Sequence, residues 1–336
     1  MNQTSHLEND VHGTRPGTRI VTDCEICGAT AFLDVAAGSA VLCPIKMCQA
    51  CGHFFTSPCI DSDDLSQFYD EEFEGDAGAA SRLTEGGIAG QKVRREQRKM
   101  RQWALPIIAD HCDLKGKTVL DLRTRSGSMA ELMVQEGADV TGIDPFPANV
   151  DYATKSRNLE NIILIPLSDW HRLDQLENNS FDVVTALTIH TLAHLPWPRR
   201  FLSRLFEITK PGALLFFNEK SILDPANSTA HSVLEVGAGH FHHFTVASFR
   251  HIFEAAGFDV LACDLDSTRK STAKHIRLIA RTPEPKPENA GRPATAFHCD
   301  TKTILQQLDH AEKIQRRRRH YNMVRGKLRT LRNRFR

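Results

Sequence analysis

KTVLDLRTRSGSMAELMVQEGADVTGIDP, residues Lys117–Pro145, indicates the fold of most of the chain. Lys117–Leu122 is a short, mostly apolar run that is typical of a buried strand. Gly127 opens an amphipathic segment with helical periodicity, and a second apolar strand over Ala138–Ile143 finishes on Asp144. The order strand, glycine turn, helix, strand and acid is the opening unit of a nucleotide-binding, doubly wound sheet.

The acid at the end of the second strand is placed to hydrogen-bond ribose hydroxyls, because Asp144 falls 23 residues after Asp121. The stretch resembles motif I of class I S-adenosylmethionine-dependent methyltransferases, in which an acid is followed by glycine at alternate positions. Asp121 and Gly127 match that motif, whereas Arg123 and Arg125 stand where its first two glycines belong. Those glycines let the backbone turn tightly and approach the ligand closely.

The segments after Pro145 continue to alternate between helix-like and strand-like patterns, and two final strands are predicted over Phe258–Leu265 and His275–Ala280. An alternating chain that closes with an antiparallel pair predicts an α/β protein. We expect a Rossmann-like, seven-stranded, doubly wound sheet with helices on both faces.

The resemblance also implies a cofactor site. Asp169 follows the third predicted strand, where the family places an acid near the adenine amino group. The expected cofactor is S-adenosylmethionine, and its expected binding residues are Asp121, Gly127, Asp144 and Asp169.

The acceptor side is predicted from histidines near the ends of later strands. His194 occupies the position of the family's histidine after the fourth strand, and His190 precedes it by four residues. An oxygen acceptor loses a proton during methyl transfer, and a histidine with a pKa near 6.5 could take it. His194 is therefore the first catalytic candidate and His190 the second, although the two could instead form a structural pair. The same reasoning places four more residues towards the acceptor: Glu219, His240, His242 and His243.

Two Cys-x2-Cys pairs near the N-terminus indicate a metal site. They are Cys24 with Cys27 and Cys48 with Cys51, and 20 residues separate the pairs. This spacing is typical of a zinc ribbon, in which each pair supplies two thiolates to one tetrahedral ion. Three further residues lie nearby, and the symmetric pairing favours them as non-ligands: Cys43, His53 and Cys59.

The ribbon and the aromatic segment after it extend the resemblance to bacterial methyltransferases that carry an N-terminal zinc-binding module. Those enzymes often act on sugars, cell-surface glycans or secondary metabolites, so a small-molecule or glycan acceptor is expected. The resemblance covers about Cys24–Arg281. The predicted organisation is a disordered lead (1–20), the ribbon (21–60), a connector with a helical cover (61–112), the methyltransferase domain (113–281), a proline-rich linker (282–300) and a basic amphipathic tail (301–336).

The tail has its own composition. Lys302–Arg336 contains twelve Lys or Arg residues against two acids, and apolar residues recur at heptad spacing: Tyr321, Val324, Leu328, Leu331 and Phe335. A basic amphipathic helix of this kind predicts peripheral contact with an anionic membrane surface. A helix that pairs with a partner helix and a disordered arm that binds nucleic acid are the alternatives.

Composition limits the remaining function classes. The net charge of +1 is close to neutral, no apolar run approaches the roughly 20 residues of a membrane helix, and the polar N-terminus lacks a signal-peptide core. We therefore expect a cytoplasmic protein, with possible attachment to the inner membrane face. Aromatic residues make up only 7% and are not interleaved with the basic runs, so nucleic-acid binding is not expected. A non-catalytic, methyltransferase-like scaffold protein remains the alternative to an enzyme.

Overall fold

The computed structural model describes residues 17–35, 44–61, 88–187, 191–225, 239–266, 275–286 and 299–334. The side chains of residues 88–93, of Glu96, of Arg319 and of residues 322–334 are outside the description as well. Several predicted features therefore lie outside it: most of the N-terminal lead, most of the connector and of the proline-rich linker, Cys43, His190 and the apolar stripe beyond Tyr321.

Five short strands form the N-terminal module: β1 (Thr18–Arg19), β2 (Phe32–Val35), β3 (Ile45–Cys48), β4 (Phe54–Thr56) and β5 (Cys59–Ile60). β2, β3 and β4 pair in antiparallel order, and β1, which falls within the predicted lead, pairs with β5. Met47 of β3 and Phe54 of β4 are fully buried in this small sheet.

The rest of the chain alternates between helices and strands, as the sequence predicts. Its elements are α1 (Ile88–Ala109), β6 (Thr118–Leu122), α2 (Ser128–Gln135), β7 (Asp139–Asp144), α3 (Pro147–Arg157), β8 (Ile162–Leu164), β9 (Phe181–Ala186), α4 (Pro198–Ile208), β10 (Thr209–Lys220), β11 (His242–His243), α5 (Val246–Ala255), β12 (Asp259–Leu265), β13 (His275–Arg281) and α6 (Thr301–Arg334).

Seven of these strands form one sheet in the order β12-β13-β10-β9-β6-β7-β8. The five strands from β10 to β8 are parallel, whereas β13 runs antiparallel to both β10 and β12. This arrangement confirms the predicted Rossmann-like fold. The chain order reverses where β6 lies beside β9, and ligands of open α/β sheets bind at the carboxyl ends of strands beside such a reversal.

Apolar side chains cover both faces of the sheet. Along β10, Leu215 and Phe217 belong to one buried cluster with Phe253 of α5, while the intervening Phe216 belongs to the cluster on the other face. That second cluster also contains Ile108 of α1. Successive residues of a strand face opposite sides of a sheet, so the two clusters are the two layers of a doubly wound fold.

The tail forms the single long helix α6, and its first turns contact the N-terminal module. Ile304, Leu308 and Ala311 are buried against residues of β3 and β4. Tyr321, by contrast, is 64% exposed. Within the described residues, no helix combines the length and the apolar character that crossing a membrane requires.

Candidate functional site

The loop after β6 keeps three left-handed backbone positions at the places where motif I has glycine. The φ angles are 55° at Arg123, 53° at Arg125 and 72° at Gly127. A residue with a Cβ atom costs about 1–2 kcal/mol in this conformation. The loop therefore has the glycine-type backbone that the motif predicts, even though two of the three residues are arginines.

Contacts with the neighbouring strand β7 hold this loop in place. The backbone N–H of Thr124 donates to the Ile143 carbonyl at 3.1 Å, and the N–H of Arg125 donates to Oδ2 of Asp144 at 2.8 Å. A Cβ atom added at Gly142 would lie 2.5 Å from Oγ1 of Thr124, which leaves no room for a side chain there. Glycine in β7 thus permits the close approach of the loop.

Asp121 lies beneath the loop, at the reversal between β6 and β9. Oγ1 of Thr185 on β9 donates to its Oδ1 at 2.6 Å. Burial raises the pKa of Asp121 to about 7, against the opposing effect of its hydrogen bonds with Thr185 and Thr124. The carboxyl group that the motif predicts is therefore present at the predicted edge of the sheet, in a dry environment.

Asp144 lies at the carboxyl end of β7 and is 1% exposed. Its carboxylate accepts three hydrogen bonds, from the N–H of Arg125, from the N–H of Phe146 at 3.0 Å and from the amide of Asn149 at 2.9 Å. Burial raises its pKa, and these donors and the charge of Arg123 act in the opposite direction. A carboxylate has about four acceptor positions, so three donors leave one unfilled, and its contact with a ribose hydroxyl stays a prediction.

Asp169 ends the short 3-10 turn Leu167–Asp169 that follows β8. Its carboxylate pairs with Arg172 at 2.8 Å, and its side chain is 43% exposed. It lies after the strand next to β7, as the sequence predicts, and its contact with adenine stays a prediction.

Glu219 is the buried acid of the acceptor side, at the end of β10. Its Oε2 accepts the backbone N–H groups of Leu192 at 3.2 Å and Ala193 at 3.3 Å. Burial raises its pKa, while the charges of His240 and Arg123 act to lower it. Since Arg123 also acts on Asp144, one guanidinium influences carboxylates on both sides of the site.

His194 ends the turn Leu192–His194 that Glu219 holds, and it is 7% exposed. Its Nδ1 lies 3.0 Å from the carbonyl oxygen of Gly239, and its ring centre lies 4.5 Å from that of His240. A proton on Nδ1 that is donated to this carbonyl leaves the basic lone pair on Nε2. The structure thus brings His194, His240 and Glu219 together, as the sequence predicts.

The N-terminal module joins the acceptor side directly, which sequence reasoning missed. β11 pairs with β4, so that His242 lies opposite Phe55 and His243 opposite Phe54. Nε2 of His53 lies 3.0 Å from Nδ1 of His242. Burial lowers the pKa of His242 to about 3 and that of His53 well below its usual range, so both rings are neutral near pH 7.

Thr56 adds a second connection at this joint. Its hydroxyl donates to the carbonyl of His240 at 2.8 Å and lies 3.1 Å from Nε2 of His243. The N–H of Phe241 in turn donates to the carbonyl of Ala193 at 2.8 Å, in the turn that carries His194. His242 and His243 thus contact ribbon residues as well as Phe244 and His240, and their predicted position towards the acceptor stays a prediction.

The four paired cysteines form a compact sulfur cluster. The Sγ atoms of Cys24, Cys27, Cys48 and Cys51 lie within 4.8 Å of one another. Cys24 and Cys51 are 3.6 Å apart, as are Cys27 and Cys48. Zinc bonds of about 2.3 Å in a tetrahedron place sulfur atoms roughly 3.8 Å apart, so the cluster could hold one structural zinc ion. His53 bonds to His242 instead, and Cys59 contacts the carbonyl of Arg19.

Residues 93–262 match the family model described as a methyltransferase domain. The match covers half of the chain, and the protein belongs to this methyltransferase family. S-adenosylmethionine is the cofactor of the family.

Curated relatives have a similar domain. The chain is 36% identical over 129 residues to the ubiquinone biosynthesis O-methyltransferase of Hahella chejuensis. The matched region covers 35% of this chain and 52% of the relative. It is 34% identical over 116 residues to the protein of the same name from Nitrosococcus oceani, and that matched region covers 34% of this chain and 48% of the relative. The chain thus spans about half the length of the curated relatives it matches.

Among solved structures, the magnesium protoporphyrin IX methyltransferase of Synechocystis PCC 6803 was determined with bound S-adenosylmethionine. It is 19% identical to this chain, with a TM-score of 0.46, and the similarity covers 67% of this chain and 99% of that one.

Proposed function

We propose that the protein transfers the methyl group of S-adenosylmethionine to a hydroxyl group of a small molecule, of the sugar, glycan-precursor or secondary-metabolite class. The observation that carries the proposal is the arrangement at the carboxyl edge of the sheet. Asp121 and Asp144 lie at the ends of β6 and β7, where we expect the cofactor, and the buried His194 and Glu219 lie near the partly exposed His240. The names of the curated relatives support transfer to oxygen on a small molecule.

The residues of the chain supply binding, orientation and a proton acceptor. Asp144 offers its remaining acceptor position to a ribose hydroxyl. When bound, S-adenosylmethionine supplies an electrophilic methyl group on a sulfonium. Glu219 fixes the turn Leu192–His194 through two backbone N–H groups, and Gly239 orients the ring of His194. Nε2 of His194 can then accept the proton of the acceptor hydroxyl, which is general base catalysis.

One observation favours a second function, that of a non-catalytic relative. Arg123 and Arg125 adopt left-handed conformations that favour glycine, and the Arg123 charge acts on the edge where a cationic sulfonium would bind. A guanidinium repels a sulfonium. A protein that lost its cofactor could retain the fold and the ribbon as a scaffold.

Methyl transfer is tested with methyl-labelled S-adenosylmethionine and a panel of nucleotide-linked sugars and phenols. The wild-type protein should label at least one hydroxyl acceptor, and His194→Gln should lower that rate by about 100-fold, as expected for a lost general base. His310→Gln, which changes an exposed histidine of α6, is the matched control and should keep the wild-type rate. If the wild type labels no acceptor and equilibrium dialysis detects no bound S-adenosylmethionine, the enzymatic function is contradicted.

A further inference from the structure

The C-terminal helix begins directly on the second cysteine pair of the ribbon. The N–H of Cys299 donates to the carbonyl of Ala50, which lies between Cys48 and Cys51, at 3.3 Å. Asp300 then caps the helix, because its carboxylate accepts the N–H of Thr303 at 3.2 Å. A hydrogen bond between residues so far apart in sequence places the start of α6 against the predicted metal site.

One face of α6 completes the core of the ribbon. Ile304, Leu308 and Ala311 recur at spacings of four and three residues, so they share one side of the helix. All three are buried in a cluster that also contains Ile45, Met47 and Phe54 of the ribbon, together with Ile222. Leu305, next to Ile304, is on another side and is 37% exposed. The ribbon by itself would expose most of this apolar surface.

The glycines that follow the two cysteine pairs differ in what surrounds them. Gly28 and Gly52 have φ angles of 75° and 67°, so both adopt the same left-handed conformation in the turn after their cysteine pair. A Cβ atom at Gly52 would lie 2.3 Å from Cδ1 of Ile304 and 3.1 Å from Sγ of Cys299. At Gly28 the nearest atom would be a nitrogen of Arg199 at 3.9 Å, which is ordinary contact. Any side chain strains either glycine because of the positive φ angle, but only at Gly52 would a Cβ atom also meet α6.

We infer that the second cysteine pair is a metal-dependent docking site for the C-terminal helix. Zinc bound to Cys48 and Cys51 fixes the carbonyl of Ala50 and the backbone of Gly52, which together form the seat of the first turn of α6. The exposed basic segment that follows, which includes Arg316, Arg317 and Arg318, is held as a rigid arm while the metal is bound. Loss of the metal releases the helix. The inference rests on the cysteine cluster and is independent of methyl transfer.

Limited trypsin digestion of the full chain tests the docking. Lys302 and Lys313 are exposed on α6, and cleavage beside them requires the helix to open locally. Mass spectrometry should show cleavage at these two sites at least tenfold faster after a chelator has removed the zinc. An unchanged cleavage rate in protein whose metal loss has been verified would overturn the inference.

Variants separate docking from metal binding. With zinc retained, Gly52→Ala should accelerate cleavage in α6, whereas Gly28→Ala should match the wild type. If either alanine expels the metal, the pair Ile304→Ala and Leu305→Ala decides, since neither residue lies in the ribbon. Ile304→Ala should release the helix with one zinc per chain still bound, and Leu305→Ala should not. Equal cleavage of these two variants would contradict docking through this face.

Discussion

The two regions where the chain turns around a predicted ligand, the cysteine pairs of the ribbon and the loop after β6, use left-handed residues in different ways. In the ribbon the left-handed positions after the cysteine pairs, Gly28 and Gly52, are glycines. In the loop, Arg123 and Arg125 take the same type of conformation. The ribbon therefore follows its motif in residue type and in backbone, while the loop follows its motif in backbone at all three positions but in residue type only at Gly127.

The difference shows what determines the course of each turn. The loop is held from outside, by the carboxylate of Asp144, by the carbonyl of Ile143 and by the space that Gly142 leaves for Thr124. These contacts offset the conformational free energy that Arg123 and Arg125 cost in the left-handed region. The first two motif glycines are thus dispensable for the path of the loop, and their replacement by Arg123 and Arg125 raises its strain and adds positive charge there.

The largest effect is expected in the ribbon. Wild-type protein should contain about one zinc per chain, since four thiolates complete one tetrahedral site. The double variant Cys48→Ser with Cys51→Ser should lose the metal, and the ribbon should unfold because small metal-dependent modules gain much of their folding free energy from the ion. Metal analysis of purified protein measures this. Cys59→Ser, outside the cluster, should keep the zinc, and stoichiometric zinc in the double variant would refute the site.

The next largest effect concerns Asp121, beneath the strained loop. Its pKa is about 7 in the folded protein and about 3.9 in an unfolded chain, so the folded state binds the proton more tightly. This contribution stabilises the fold at low pH and is lost as pH rises towards 7. Asp121→Asn lacks it, so the stability of the variant relative to wild type should increase by about 2 kcal/mol between pH 5.5 and pH 8.

Urea denaturation at the two pH values measures this difference. Asp139→Asn, at the exposed start of β7, is the matched control for the same change of residue type at the surface, and its effect is subtracted at each pH. A pH-independent effect of Asp121→Asn would show that Asp121 titrates normally.

A smaller effect is expected from relieving the loop itself. Arg125→Gly removes a left-handed non-glycine residue and should raise the free energy of unfolding by about 1 kcal/mol, after the greater entropy of glycine in the unfolded chain is subtracted. Urea denaturation is the measurement. Asn158→Gly is the control, because Asn158 has a φ angle of 53° but asparagine tolerates this conformation better than arginine. Destabilisation by Arg125→Gly would mean that its side chain contributes a contact worth more than the strain.

The smallest effect is expected in membrane binding by the exposed basic segment of α6, which includes Arg316, Arg317 and Arg318. We expect full-length protein to float with anionic vesicles at low salt and to release them as salt rises, since each basic residue near such a surface contributes about 1 kcal/mol before screening. A chain that ends after Gln315 keeps the docked turns of α6 but lacks the basic segment, so it should lose this binding. Equal flotation of both chains, or binding to neutral vesicles, would remove the membrane proposal.

The sequence was sufficient for the parts of the molecule whose signal is local. The run from Lys117 to Pro145 carries strand, turn, helix and strand in its own periodicity, and the structure forms β6, α2 and β7 there. The cysteine spacing likewise predicts which four sulfurs meet.

Contacts between distant segments left no such signal. His53 and His242 are 189 residues apart, and nothing in either neighbourhood indicates that their rings share a hydrogen bond. The burial of Ile304 against the ribbon has the same origin, because the spacing of apolar residues shows that a helix has an apolar face without showing what covers it. The joint between ribbon and acceptor side therefore emerged only from the structure.

The central claim is that the loop still admits S-adenosylmethionine and that the charge of Arg123 limits its affinity. Calorimetric titration of the wild type, Arg123→Gly and Arg125→Gly with S-adenosylmethionine and with S-adenosylhomocysteine tests it most directly. The wild type should bind both ligands weakly and with similar affinity. Arg123→Gly should tighten binding of the cationic ligand more than of the neutral one, by about tenfold for each 1.4 kcal/mol recovered, and Arg125→Gly should leave their ratio unchanged. Weaker binding of S-adenosylmethionine by Arg123→Gly would contradict the claim and make Arg123 a ligand.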